Sequence, residues 1–207
     1  MLKPDTIVDA TLAEAESVGW PELRLFDVAA RMKVPLADVR LHYRDLDAVA
    51  DAWLARGERA MLEAGDEPGF ADLPPRERIA RAMLAFLGAL AGHRKVSGQI
   101  FRAKLYFGHP HHNLALLFWV SRTVQWWREA AQLRGDDRRR RVEEIGLSAL
   151  FVATLVYWTA DDSEGQERTR RFLDKRLNDA DALMRRLFPA KPKSSPPQPR
   201  SDRSKRS

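Results

Sequence analysis

Residues 25–54 read LFDVAARMKVPLADVRLHYRDLDAVADAWL, and the fold turns on how this run divides. Leu25, Val28, Ala29 and Met32 recur at helical spacing, which predicts a short helix over 24–32. Met32–Pro35 then makes a four-residue turn. Pro35 suits the first turn of a third helix, where its missing N–H costs nothing, and that helix runs to about Tyr43. A fourth begins near Asp45 and carries Leu46, Val49, Trp53 and Leu54 inward. Two short helices, a tight turn and the small Ala29-Ala30 pair for close approach have the spacing of a helix-turn-helix. Lys33 falls in the turn, and a non-glycine residue in a left-handed turn costs about 1–2 kcal/mol, so a turn of another shape is expected. Pro35 offers no hydroxyl to cap the helix it opens.

Working outward, the chain reads helical throughout, and the β-branched alternation of strands is absent. Pro4-Asp5 opens a first helix with Ile7, Val8, Leu12, Ala15 and Val18 inward, and Gly19 closes it. The Gly/Pro/Asp stretch 63–77, EAGDEPGFADLPPRE, is the expected boundary between modules. Helices follow over 77–90, 96–107, 114–132, 138–158 and 167–188. From Pro189 the composition changes to PAKPKSSPPQPRSDRSKRS, whose prolines, serines and basic residues cannot bury a core, so a disordered tail is expected. The domain division is therefore 1–62, a helix-turn-helix module; 77–188, a helical ligand-binding and dimerisation domain; and 189–207, a basic tail.

No cysteine is present, which removes disulfides, thiolate zinc sites and cysteine nucleophiles. The N-terminus lacks the apolar core of a secretory signal. The longest apolar run, LSALFVATLVYW at 147–158, falls short of the roughly 20 residues a bilayer needs and reads as a buried helix. A cytoplasmic protein is expected. The net charge of +6 is unevenly spread. Residues 1–60 carry 8 basic and 11 acidic side chains, while 189–207 carry 6 and 1. The helix-turn-helix region is thus mildly acidic, although phosphate binding draws its affinity from Lys and Arg.

IVDATLAEAESVGW, LFDVAARMKV and PLADVRLHYRDLDAVADAWL together resemble the TetR-family regulators of bacteria. The pattern is an alanine-rich first helix ending in glycine, an "IA" helix, a turn and a recognition segment, matched without gaps over about 55 residues. His42-Tyr43 keeps the family's histidine-aromatic pair. Arg40 replaces its DNA-touching tyrosine, and Leu46, between Asp45 and Asp47, replaces its phosphate-meeting lysine. The resemblance implies an all-α TetR-like fold, a homodimer through the last two helices and a one-component regulator, most often a repressor. It implies operator DNA contacted by Arg24, Lys33, Arg40, His42, Tyr43 and Arg44. The other reading of the same residues is a three-helix packing unit with solvated charges.

Further on, LVYWTADDSEGQERTRRFLDKRLNDADALMRRLF is similar to the C-terminal helices of the lipid-binding accessory protein of ubiquinone biosynthesis known as Coq-nine. That family has the TetR fold without a working DNA module. It implies an alternative function, presentation of an isoprenoid lipid to an enzyme with peripheral membrane contact. Both resemblances imply an apolar pocket, and the dense aromatics at 101–158 suit one. The ligand residues expected are Phe101, Tyr106, Trp119, Trp126, Phe151 and Tyr157. His109, His111 and His112 invite a metal, but no carboxylate or cysteine adjoins them and Pro110 marks a turn, so a solvated loop is expected. The RRRR run at 138–141 reads as a solvated helix start, and Asp161-Asp162 as a helix-capping turn. No phosphate loop, nucleophile elbow or HExxH is present, so no catalytic, metal or cofactor site is expected.

Overall fold

The computed structural model describes residues 2–104, 110–133 and 137–188, with the backbone alone for 110–116. Its helices are α1 (Pro4–Val18), α2 (Leu25–Met32), α3 (Leu36–His42), α4 (Leu46–Gly65), α5 (Pro75–Leu90), α6 (Arg94–Lys104), α7 (Pro110–Ala130), α8 (Asp137–Thr159) and α9 (Glu167–Leu187). Among the described residues there is no strand. The expected start of the seventh helix at Leu114 is corrected: Pro110 opens α7, in the first-turn position proline favours. His109 lies outside the described residues, as do the side chains of His111 and His112, and the tail 189–207 lies outside them too.

The first three helices enclose Ile7, Val8, Leu12, Val28 and Val39, all buried. Val18 escapes the expected inward stripe and is exposed. α4 is the spine. One side of it meets α1, and the other packs along α5 and α7. Gly57 makes the α4–α5 approach possible, because a Cβ there would lie 2.9 Å from the Phe86 ring. One buried cluster therefore runs from Ile7 to Leu177 through both halves of the chain. The boundary stretch is not a plain loop: α4 extends to Gly65, and a 3-10 turn at 70–72 buries Phe70 completely.

Phe151 of α8 sits at the centre of the larger half, with ring centroids 5.5 Å from Phe86, 5.7 Å from Trp119 and 6.0 Å from Trp127. Three of the buried indoles have hydrogen-bond acceptors. Trp53 Nε1 donates to Ser97 Oγ, Trp127 Nε1 to the Ile79 carbonyl and Trp158 Nε1 to Gln166 Oε1. The α8–α9 corner is tied by Asp161, which is buried. One carboxylate oxygen accepts from the Ser163 amide and hydroxyl, the other from the Thr169 amide and hydroxyl. Burial alone would raise its pKa, but these four bonds outweigh that and hold it well below the usual carboxylate range.

Candidate nucleic-acid interface and ligand cavity

The turn between α2 and α3 keeps the left-handed shape, contrary to expectation: Lys33 lies at φ 57°, ψ 40°. The Val34 amide reaches back to the Ala29 carbonyl at 3.1 Å, closing α2 with a Schellman-type bond that holds Lys33 in place. Pro35 precedes α3 without a side-chain cap, as its chemistry requires. Asp45 caps α4, its Oδ1 accepting from the Ala48 amide at 2.8 Å, and Asp47 sits in that helix's first turn. Both carboxylates that looked out of place beside DNA thus serve the start of α4.

The six expected DNA residues separate by role. Arg24 is the N-cap of α2 and is paired with Asp27 at 3.1 Å. Arg44 is paired with Asp45 at 3.1 Å. Lys33 and Arg40 are exposed, and no acidic partner faces either among the described residues. His42 is half-buried. Tyr43 is buried among the helices, where burial, with Asp5 nearby, pushes its phenol up, so it stays neutral. On α3 the outward arc of about 140° holds Leu36, Ala37, Arg40 and Leu41, while Val39 points inward and Asp38 and His42 lie to the side. Leu36 is 43% and Leu41 82% exposed. Sequence reading missed these two leucines. A helical wheel drawn on 36–42 alone exposes them.

The module is fastened to the larger half through α6. The Trp20 amide donates to Gln99 Oε1 at 2.7 Å, Trp53 reaches Ser97, and Lys104 pairs with Asp51 at 2.8 Å. His93, just before α6, contacts Glu16 at 3.2 Å and the Trp53 ring edge-on. The other face of α6 borders an apolar cavity of about 100 Å³. Gly98 and Phe101 of α6, Trp119 of α7, and Leu155 and Thr159 of α8 line it. Gly98 also allows α6 to approach α8, since a Cβ there would meet Thr159 at 3.2 Å.

The six expected ligand residues do not form one pocket. Phe101 and Trp119 line the cavity with ring centroids 6.0 Å apart. Phe151 lies behind Trp119 in the core. Trp126 and Tyr157 are exposed, and Tyr157 stacks on Phe172 of α9 at 4.5 Å. Tyr106 lies outside the described residues. Among those described, no cluster of His, Asp or Glu is placed to hold a metal.

A second concavity of about 180 Å³ lies between α5, α8 and α9. Ile79, Leu147, Leu150, Leu177 and Met184 form its apolar wall, with Arg76 and Arg139 at the rim. The arginine run is exposed: Arg139 and Arg140 pair with Glu143 and Glu144 one turn on, and buried Arg128 of α7 shares Glu143 at 2.8 Å.

The outward face of α8 differs from the charged outer surface of α9 beside it. Val142, Ile145, Gly146, Ala149, Ala153, Val156 and Tyr157 are exposed, span about 120° of the helix and include no charge. With its buried face also apolar, α8 is long and apolar enough to cross a membrane by length and composition. The apolar run at 147–158 understated this, because Val142, Ile145 and Gly146 extend it towards the N-terminus. The α9 stripe is buried at Leu173 and Leu177 but exposed at Leu187, and most of the outward surface of α9 is charged.

A family model described as COQ9 matches residues 140–184. No curated protein sequence matches the chain significantly. Among solved structures, the TetR transcriptional regulator from Nitrosomonas europaea ATCC 19718 is 38% identical, with a TM-score of 0.77, over 87% of this chain and 98% of that one. The multidrug binding protein EbrR, solved with imidazole, is 20% identical over 85% and 95%, with a TM-score of 0.56. A bacterial regulatory protein in the tetR family from Rhodococcus RHA1 is 16% identical over 86% and 97%, with a TM-score of 0.51. The last two matches speak to the fold alone.

Proposed function

The chain belongs to the TetR family of transcriptional regulators, and on that premise we propose that it is a cytoplasmic, dimeric, ligand-responsive DNA-binding repressor. The observation that carries the proposal is the outward arc of α3. It presents Arg40 between Leu36 and Leu41, with Lys33 in the turn that leads into the helix and every carboxylate of the segment turned aside, capping a helix or paired. Such an arc suits the major groove, and a two-fold dimer would set two of them on the half-sites of a pseudo-palindrome. The partner surface we assign is the charge-free face of α8, with the Phe172, Leu183 and Leu187 edge of α9 beside it. A helix stretch apolar all round, as α8 is from Ile145 to Trp158, calls for cover on every side, and a second copy supplies it.

Ligand response follows from α6. The cavity it borders, at about 100 Å³, is smaller than the roughly 300–1,000 Å³ of most small-molecule sites. An apolar ligand that fills it displaces α6 from α7 and α8. Because Gln99, Ser97 and Lys104 tie α6 to the DNA module, that displacement moves the module and changes the spacing of the pair. The test is selection of binding sites from random duplex DNA by the full-length protein. Enrichment of a two-part site, with affinity that falls as salt rises, supports the reading. A pool without enrichment sinks it.

A second reading is favoured by one observation. The COQ9 match covers the stretch of α8 and α9 that supplies Leu147, Leu150, Leu177 and Met184 to the apolar concavity. Under it, the chain holds an isoprenoid lipid for an enzyme and α3 serves packing alone. A lipid extracted from the purified protein, together with failure of the DNA selection, would favour this reading over the first.

A further inference from the structure

Leu36 and Leu41 are hard to account for as parts of a packing unit. α3 has seven residues, and its outward arc spends two of four positions on large aliphatic side chains, one of them 82% exposed. Neither contributes to the buried cluster, which takes Val39 from this helix. The interleaved residue is Arg40, which no acid neutralises among the described residues, and Lys33 stands at the helix entrance. An apolar protein partner would have to bury that unpaired guanidinium, at a cost of several kcal/mol. An occupant that suits the whole arc is polyanionic, carries acceptors for a guanidinium, and has isolated apolar spots between them.

The major groove of DNA has this chemistry. Guanine offers the O6 and N7 acceptors that an arginine fork fits, and thymine alone presents an apolar group, its 5-methyl. Lys33 and Arg40 are the segment's unpaired cations, so phosphate attraction is modest and apolar contact with bases contributes a larger share of the affinity. Resting on the DNA-binding reading above, we infer that α3 selects A·T pairs through the thymine 5-methyl groups, held by Leu36 and Leu41, flanking a guanine read by Arg40. The juxtaposition on one arc sets the pattern. Arg40 lies between the two leucines around the helix, so the guanine falls between the two thymine contacts.

The experiment takes the enriched duplex and replaces individual thymines by deoxyuridine, which keeps the base pair and removes only the methyl. Each contacted methyl should be worth about fourfold in affinity for the full-length protein. Leu41→Ala should bind the thymine site more weakly by a similar factor, and at that position its preference for thymine over deoxyuridine should fall to about one. Leu36→Ala should do the same at the other position. Both side chains are exposed, and melting curves identical to the parent's confirm that the variants fold. Equal affinity of the parent for thymine and deoxyuridine sites, or preference unchanged in both variants, overturns the inference while leaving the DNA-binding reading intact. A pool that enriches nothing overturns both.

Discussion

α3 and α8 both turn aliphatic side chains to solvent, and they do so in opposite company. The arc of α3 interleaves two leucines with an unpaired arginine on a seven-residue helix beside a lysine. The face of α8 runs from Val142 to Tyr157 with small residues at its centre and no charge at all. Apolar exposure alone therefore says little about what covers a surface. The charges set among the apolar groups separate the two: on the proposed reading α3 suits a polyanion with apolar spots, and α8 suits another apolar helix. Each assignment can be broken separately.

The largest effect should come from placing a charge in the α8 face. Ala149→Arg buries a guanidinium in each half of a two-fold interface, where an uncompensated charge costs about 3–5 kcal/mol, more than about a hundredfold in association. Light scattering should then show a monomer. The control is Asp174→Lys, a larger change of charge on the charged outer surface of α9, which should leave the mass of the dimer unchanged. A dimer that survives the α8 arginine would remove the contrast with α3.

Next in size is the corner that fixes α9 beside α8. Asp161→Ala removes the acceptor of four hydrogen bonds from Ser163 and Thr169 and should cost about 3 kcal/mol in chemical denaturation. The pH dependence has a definite sign. The folded pKa is depressed, so this stabilisation is complete above the unfolded value of about 4 and is lost as pH falls from there towards the folded value. The parent should lose stability through that window more steeply than Asp161→Asn, whose side chain does not titrate. Parallel curves for the two would remove Asp161 from the account of acid sensitivity.

A smaller effect divides α3 from its neighbours. Arg40→Ala should weaken DNA binding by about 1–3 kcal/mol if its fork reads a base. Arg44→Ala should cost under about 1 kcal/mol, because Asp45 already holds that guanidinium. Fluorescence anisotropy on one duplex measures both. Equal losses would mean that the arc is not the reading surface and that the leucines have another partner.

Most of this fold was legible because each helix carries its own period and its own punctuation. Pro4, Gly19, Pro35 and Asp45 mark ends that the structure places within a residue or so. The site was legible only in part, for a physical reason. Periodicity tells which residues turn inward, but Phe101, Trp119, Phe151, Trp126 and Tyr157 were chosen by type, and ring type does not separate a cavity wall from a core or a surface stack. The structure sends them to all three. Similarly, Asp45 looked like a charge set against DNA because the cap it forms depends on where α4 begins. The tie of Gln99 to the Trp20 amide joins residues 79 apart, and no local pattern signals it.

Lys33 gives the smallest and most diagnostic test, since its two roles pull in opposite directions. As a residue it is strained: φ 57° is a left-handed conformation held by the Val34-to-Ala29 bond. As a side chain it is one of the segment's unpaired cations. Lys33→Gly should relieve the strain, gaining about 0.5–1 kcal/mol in stability once the extra freedom of glycine in the unfolded chain is subtracted. The same change removes a charge from the proposed DNA face, so affinity should fall and its dependence on salt should flatten by about one phosphate contact per protomer. If stability rises while affinity and salt slope stay fixed, Lys33 faces solvent only and the polyanion surface narrows to Arg40. If both fall, the lysine stem packs on the turn, and the strain is offset by contacts that a backbone angle alone does not reveal.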